Sequence, residues 1–157
     1  MLSGSWVNPT AVAMDPMYES RNRLLVLLVD DCVEQRDLYQ ILLERDLEIL
    51  STGRGVDAIA LAMARHPDAI VLDLNMPGMD GLQVCRHLKR EPVTATIPVI
   101  ILTGTDDHGI QTDALFAGAA GILTKPCSAP RLLGTIRAAI DRSRATFRPP
   151  VSRGSLQ

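Results

Sequence analysis

The chain has 157 residues, enough for one domain with a proper core and short for two. Apolar residues make up 46% and aromatic residues only 3%, which suits a buried sheet and argues against base-stacking surfaces for single-stranded nucleic acid. A formal net charge of −2 argues against a dedicated polyanion binder, so no direct nucleic-acid partner is expected.

Residues 1–22 mix Gly, Ser, Asn, Pro and Met without helix or strand period and read as a flexible extension. They lack the basic segment and continuous apolar stretch of a secretory signal. Structure is expected to begin at Leu24–Val29, an apolar run that stops at Asp30-Asp31. This run is far below the ~20 residues that a spanning helix needs, so no membrane partner is expected. Leu38, Ile41 and Leu42 then show the spacing of an amphipathic helix over Val33–Glu44. Leu47–Leu50 reads as a second strand, ending at Ser51-Thr52-Gly53. Val56, Ile59, Ala60 and Met63 mark the expected inward face of a second helix, stopped before Pro67.

Next comes Ile70-Val71-Leu72-Asp73-Leu74-Asn75-Met76-Pro77-Gly78, a short apolar run broken by turn residues. It reads as a buried parallel strand with Asp73 at its end. A strand covered on both faces offers a carboxylate one exit, the crevice at the carboxyl edge of the sheet. Asp73 is therefore either a reactive aspartate or a residue that caps a turn. A third helix is expected over Leu82–Arg90. A fourth strand, Ile97–Leu102, ends at Thr103-Gly104-Thr105, its proline near the start, where a missing donor is tolerated. Asp106 or Asp107 can cap a weaker helix carrying Ile110, Ala114 and Leu115. The short strand Gly121–Thr124 delivers Lys125-Pro126. Ser128 can cap a last helix with Leu133, Ile136 and Ile140 on its core face. From Arg144 the chain is basic and aperiodic. The expected folded domain is 23–143, with 144–157 a flexible tail.

Strand and helix alternate five times. Such alternation implies an α/β domain, a doubly wound parallel sheet with helices on both faces. Polar residues then stand at four strand ends on one edge: Asp30 and Asp31, Asp73, Thr103 and Lys125. Three carboxylates in one crevice repel one another, and a hard divalent cation such as Mg2+ is the natural remedy. Lys125 supplies a compact positive charge and Thr103 a hydroxyl donor. The set describes phosphoryl transfer to a carboxylate, with positioning and charge neutralisation carrying the catalysis. No general base is called for, because a carboxylate with an ordinary pKa is ionised at neutral pH.

These residues carry a resemblance. From Leu24 to about Arg142 the chain resembles the receiver domain of two-component response regulators. The Leu-Val-Asp30-Asp31 segment is similar to that family's acidic pair. Asp73-Leu-Asn-Met-Pro-Gly-Met-Asp-Gly is similar to its phosphoacceptor segment. Pro98-Val-Ile-Ile-Leu-Thr103-Gly and Leu-Thr-Lys125-Pro126 match the segments of its hydroxyl residue and its lysine. The resemblance implies a flavodoxin-like receiver fold of five strands in the order 2-1-3-4-5. It implies that Asp73 accepts a phosphoryl group from a phosphohistidine on a sensor histidine kinase or a histidine phosphotransfer protein. Asp31, assisted by Asp30, would hold Mg2+ together with Asp73 and the backbone carbonyl of Asn75. Lys125 would pair with Asp73 and then with the phosphoryl group. Thr103 would be the switch, and Asn75 and Thr105 would tune hydrolysis. Phosphorylation would be self-catalysed and autodephosphorylation slow, a signalling role rather than a turnover enzyme. Output would pass to a protein target, or to a second copy of the chain, through the switch face.

Two departures from the family pattern stand out. Ile122 occupies the place of an aromatic whose rotation reports phosphorylation, and Cys127 follows Lys125-Pro126 where Phe is common. An aliphatic Ile122 cannot perform an aromatic rotation, so the resemblance leaves that half of the switch open. The three cysteines, Cys32, Cys85 and Cys127, include no CxxC pair, which suggests neither a zinc site nor disulfides but reduced thiols in a cytoplasmic protein. Three alternatives remain: a receiver-like scaffold that is never phosphorylated, a receiver cut from a longer regulator, and a hydrolase with an aspartate nucleophile. The last resembles a first-strand Asp-x-Asp pattern, whereas here the candidate lies on the third strand with Asn75 two residues on.

Overall fold

The computed structural model describes residues 23–146. Five strands form one sheet: β1 (Leu25–Val29), β2 (Glu48–Thr52), β3 (Ala69–Asp73), β4 (Val99–Thr103) and β5 (Gly121–Thr124). Their order is β2-β1-β3-β4-β5, and every neighbouring pair is parallel. This is the flavodoxin-like order expected from the resemblance. Five helices connect and cover the strands: α1 (Val33–Leu43), α2 (Gly55–Arg65), α3 (Gly81–Arg90), α4 (His108–Phe116) and α5 (Ala129–Thr146). The last helix continues past the expected boundary at 144. The expected extension at 1–22 and the rest of the expected tail lie outside the described residues.

All residues of β1, β3 and β4 are buried, as strands covered on both faces require. Period-2 alternation divides them between two layers. Leu27, Val29, Ile70, Leu72, Val99 and Ile101 pack with α2, α3 and α4. Val26, Leu28, Ala69, Val71, Ile100 and Leu102 pack with α1 and α5. Each fully buried Leu or Ile here is worth about 1.5–3 kcal/mol of transfer free energy.

The helix faces depart from the sequence expectation. On α1 the buried residues are Tyr39 and Leu43, while Leu38, Ile41 and Leu42 are 54%, 64% and 44% exposed. The helix carries apolar residues on two sides, and the sheet takes the side bearing the aromatic. On α2 the sheet side is Gly55, Ala58 and Ala62, with Ile59 half-buried; Val56, Ala60 and Met63 are exposed. Small residues let this helix lie close, and a Cβ on Gly55 would come within 2.7 Å of the Val84 side chain. On α4, Ala114 is buried and Ile110 packs against the same layer, but Ala117 replaces Leu115, which is exposed. On α5, Ile136 and Ile140 are buried as expected, joined by Leu132 and Ala139, with Leu133 only half-buried.

Register fixes the functional edge. Val29 lies opposite both Thr52 and Leu72, Asp73 opposite Leu102, and Thr103 opposite Thr124. The residues at or just after the ends of β1, β3, β4 and β5 therefore share one rim. Among the described residues, no helix is long and apolar enough to cross a membrane.

Candidate functional site

Asp30 leaves β1 with its backbone paid into the sheet, its N–H donating to the Thr52 carbonyl at 3.1 Å. The first turn of α1 is built around it. The Cys32 N–H donates to Asp30 Oδ1 at 2.9 Å, and Arg36 Nη1 donates to the Asp30 carbonyl at 2.7 Å. Asp30 is 1% exposed, whereas its neighbour Asp31 is exposed. Asp73, 6% exposed, ends β3 directly across the rim. One carboxylate oxygen from each of Asp30, Asp31 and Asp73 lies within 4.8 Å of the others.

Lys125 enters from the far side. Its backbone N–H donates to the Thr103 carbonyl at 2.7 Å, extending the β4–β5 pairing by one step, and the Lys125–Pro126 peptide is cis. The side chain reaches inward, with Nζ 2.9 Å from Asp30 Oδ2 and 3.0 Å from Asp73 Oδ1. Nζ also donates to Gln35 Oε1 at 2.7 Å. The expected Lys125–Asp73 pair is present, but Lys125 is shared with Asp30. Gln35 was not anticipated at all. The signal for it lay in helix phase: it follows the acidic pair by four residues, within the first turn of α1.

Burial pushes the Asp73 carboxyl above its ordinary range; Lys125 opposes this through its hydrogen bond and charge, and the charges of Asp30 and Asp31 add to the upward push. For Lys125, burial works against the charged form, but the hydrogen bonds to Asp30 and Asp73 and the charges of both acids win, and its pKa is raised. A half-buried cation between two acids offsets part of their repulsion. The remaining oxygens are hard donors clustered in one crevice, which is the chemistry that Mg2+ prefers. Among the described residues this trio is the only acid, histidine and cysteine cluster close enough to hold a metal ion.

Thr103 is buried, and its Oγ1 accepts the Thr105 N–H at 3.2 Å. Thr105 Oγ1 accepts the Asp107 N–H at 3.2 Å, and Asp107 Oδ1 caps α4 by accepting from Gly109 and Ile110. Of the two candidate caps, Asp107 is the one used. A hydrogen-bonded relay thus runs from the candidate switch residue to the start of a helix. Asn75 is exposed on the loop after β3, and Ile122 is half-buried on β5, opposite Ile101. Burial pushes the Cys127 thiol above its ordinary range, with the charge of Arg131 opposing it in part.

Comparison with known proteins agrees with this geometry. Residues 26–137 match the family model described as response regulator receiver domain. The chain is 40% identical over 113 residues to "Response regulator PleD" of Caulobacter vibrioides, covering 71% of this chain and 25% of that protein. It therefore spans about a quarter of PleD's length. It is 37% identical over 116 residues to "Protein PilH" of Pseudomonas aeruginosa, covering 73% of this chain and 96% of that one. A crystal structure of a response regulator receiver domain protein from Clostridium thermocellum superposes with a TM-score of 0.73 at 28% identity, covering 79% of this chain and 99% of the other.

Proposed function

The chain belongs to the response regulator receiver domains, and from that premise we propose that Asp73 is its phosphoacceptor in a two-component relay. The observation that carries the residue assignment is the placement of Asp73, 3.0 Å from Lys125 and grouped with Asp30 and Asp31 on the sheet's carboxyl rim. An Asp73 carboxylate oxygen attacks phosphorus, the donor's P–N bond breaks, and its electron pair leaves on the donor imidazole. Asp31 and Asp73, with Asp30 and the Asn75 carbonyl assisting, would hold Mg2+. When bound, that ion neutralises charge on the phosphoryl oxygens.

Lys125 shields Asp73 from the neighbouring acids before transfer and pairs with the phosphoryl group afterwards. Thr103 donates its hydroxyl to a phosphoryl oxygen, giving up the bond it accepts from Thr105. Asn75 and Thr105 flank that position and set how readily water reaches it. Donors are a sensor histidine kinase or a histidine phosphotransfer protein, in the cytoplasm. Output passes to a protein target, or to a second copy, on the face formed by the Thr103 loop, α4 and β5. That face carries exposed Leu115 and Phe116, and the aliphatic Ile122 leaves its signalling to loop movement.

Intact mass after incubation with a small phosphodonor and Mg2+ tests the assignment. Wild type gains one phosphoryl group and Asp73→Asn gains none. An unshifted wild type beside a charged control receiver would leave a scaffold that binds partners without phosphorylation.

A further inference from the structure

We infer that Gln35 is a positioning residue, holding Lys125 between Asp30 and Asp73; the inference rests on the phosphoacceptor reading above. An ammonium group has three N–H donors and no acceptor. Here Nζ meets three acceptors: Asp30 Oδ2 at 2.9 Å, Asp73 Oδ1 at 3.0 Å and Gln35 Oε1 at 2.7 Å. The shortest contact is to the neutral partner. Contacts to two carboxylates leave the cation free to swing about the axis that joins them, whereas a third acceptor off that axis fixes its place. Lysine brings a flexible four-carbon stem, so its placement has to come from outside. Two carboxylates alone also leave one donor to water. Gln35 takes that donor with a group that adds no fourth negative charge to a crevice already holding three.

The platform beneath Gln35 is firm. Its neighbour Arg36 donates to the Asp30 carbonyl, and a Cβ on Gly53 would come within 2.7 Å of that guanidinium. Cys32 N–H holds Asp30 Oδ1 from the same turn. One helical turn thus fixes both Asp30 and, through Gln35, the cation that Asp30 binds. When Asp73 becomes phosphorylated, Lys125 exchanges its Asp73 contact for a phosphoryl oxygen while Gln35 and Asp30 remain as its anchors. Gln35 acts on the reaction only through Lys125.

The test measures the rate of Asp73 phosphorylation by a small phosphodonor with Mg2+, on the full chain. Gln35→Ala and Gln35→Met, which keeps the stem but no acceptor, each slow phosphorylation about three- to ten-fold. Gln35→Glu, which keeps an acceptor oxygen at the same reach but adds the fourth negative charge, falls between wild type and those two variants. In a Lys125→Ala background, Gln35→Ala changes nothing further, because the group it positions is gone. Far-UV circular dichroism and melting establish that each variant is folded. A Gln35→Ala or Gln35→Met rate within two-fold of wild type overturns the inference. So does an equal loss with and without Lys125, which would make Gln35 merely structural. If wild type itself takes no phosphoryl group, it is the phosphoacceptor reading that fails.

Discussion

Asp73 carries its charge under opposed influences, and their balance has a measurable sign. Burial and the neighbouring acids raise its pKa, and Lys125 offsets them only in part. In the folded state the carboxyl therefore protonates at a higher pH than in the unfolded chain. The ionised form costs stability at neutral pH, and the cost disappears as pH falls through the raised titration into the ordinary carboxylate range. Without metal, Asp73→Asn is expected to be more stable than wild type at neutral pH, by roughly 1 kcal/mol. Denaturant titrations across pH should show that advantage shrinking on acidification; a constant or growing advantage would contradict the balance described. The acids and the lysine were legible in the sequence because each closes an apolar run, where a polar residue has no buried place to go. Gln35 was not legible in this way. Helix phase placed it in the turn that follows the acidic pair, but a lone glutamine on a helix is ordinary, and it takes the approach of the β5 end to that turn to make it a partner.

Elements aim these residues, and the β3–α3 turn is the tightest of the aiming devices. The Gly81 N–H returns to the Leu74 carbonyl at 2.9 Å, and a Cβ there would meet the Asp73 carbonyl oxygen at 2.4 Å. Asp80 and Gln83 close a reciprocal capping box at the same point, so the helix start is pinned against the backbone of Asp73, the proposed acceptor. Gly81→Ala must push that backbone aside and is expected to cost about 1–3 kcal/mol and to slow phosphorylation. Gly104→Ala, with nothing within 4 Å of its Cβ, is the control and should fall within about 0.5 kcal/mol of wild type. Equal denaturation midpoints for the two would dismiss the close approach. Element existence could be read from apolar periodicity, but helix orientation could not. Leu38, Ile41 and Leu42 form as good a stripe as Tyr39 and Leu43, and only the packing of the latter pair with Val26, Leu28 and Val71 in the fold separates them. On α2 the pattern actively misled, because the close face is made of Gly55, Ala58 and Ala62, which hydrophobicity ranks below Val56 and Met63.

At the scale of the whole molecule, the site joins four strand ends under one electrostatic load. Three acids against one lysine leave a deficit of positive charge that a divalent cation can fill. The trio is brought together only by the fold, so an ion held there stabilises the folded state, and millimolar Mg2+ is expected to raise the melting temperature of wild type by mass action. Asp31→Ala, which removes the exposed member of the trio, should lose most of that shift. An undiminished shift in Asp31→Ala would place the ion elsewhere. The strand order itself followed from alternation of strand and helix together with the family resemblance. The meeting of the acids needed only the rule that parallel strands share a carboxyl edge.

The contact between Lys125 and Asp30 joins residues 95 apart in sequence. Closing so long a span is slow compared with making a helix turn, and nothing repays it until the intervening strands have docked. A chain still emerging from the ribosome, or cut anywhere between β1 and β5, has the acids of β1 without their counter-charge. Competence to accept a phosphoryl group is therefore a property of the finished molecule, so that charging by a donor doubles as a check on completeness.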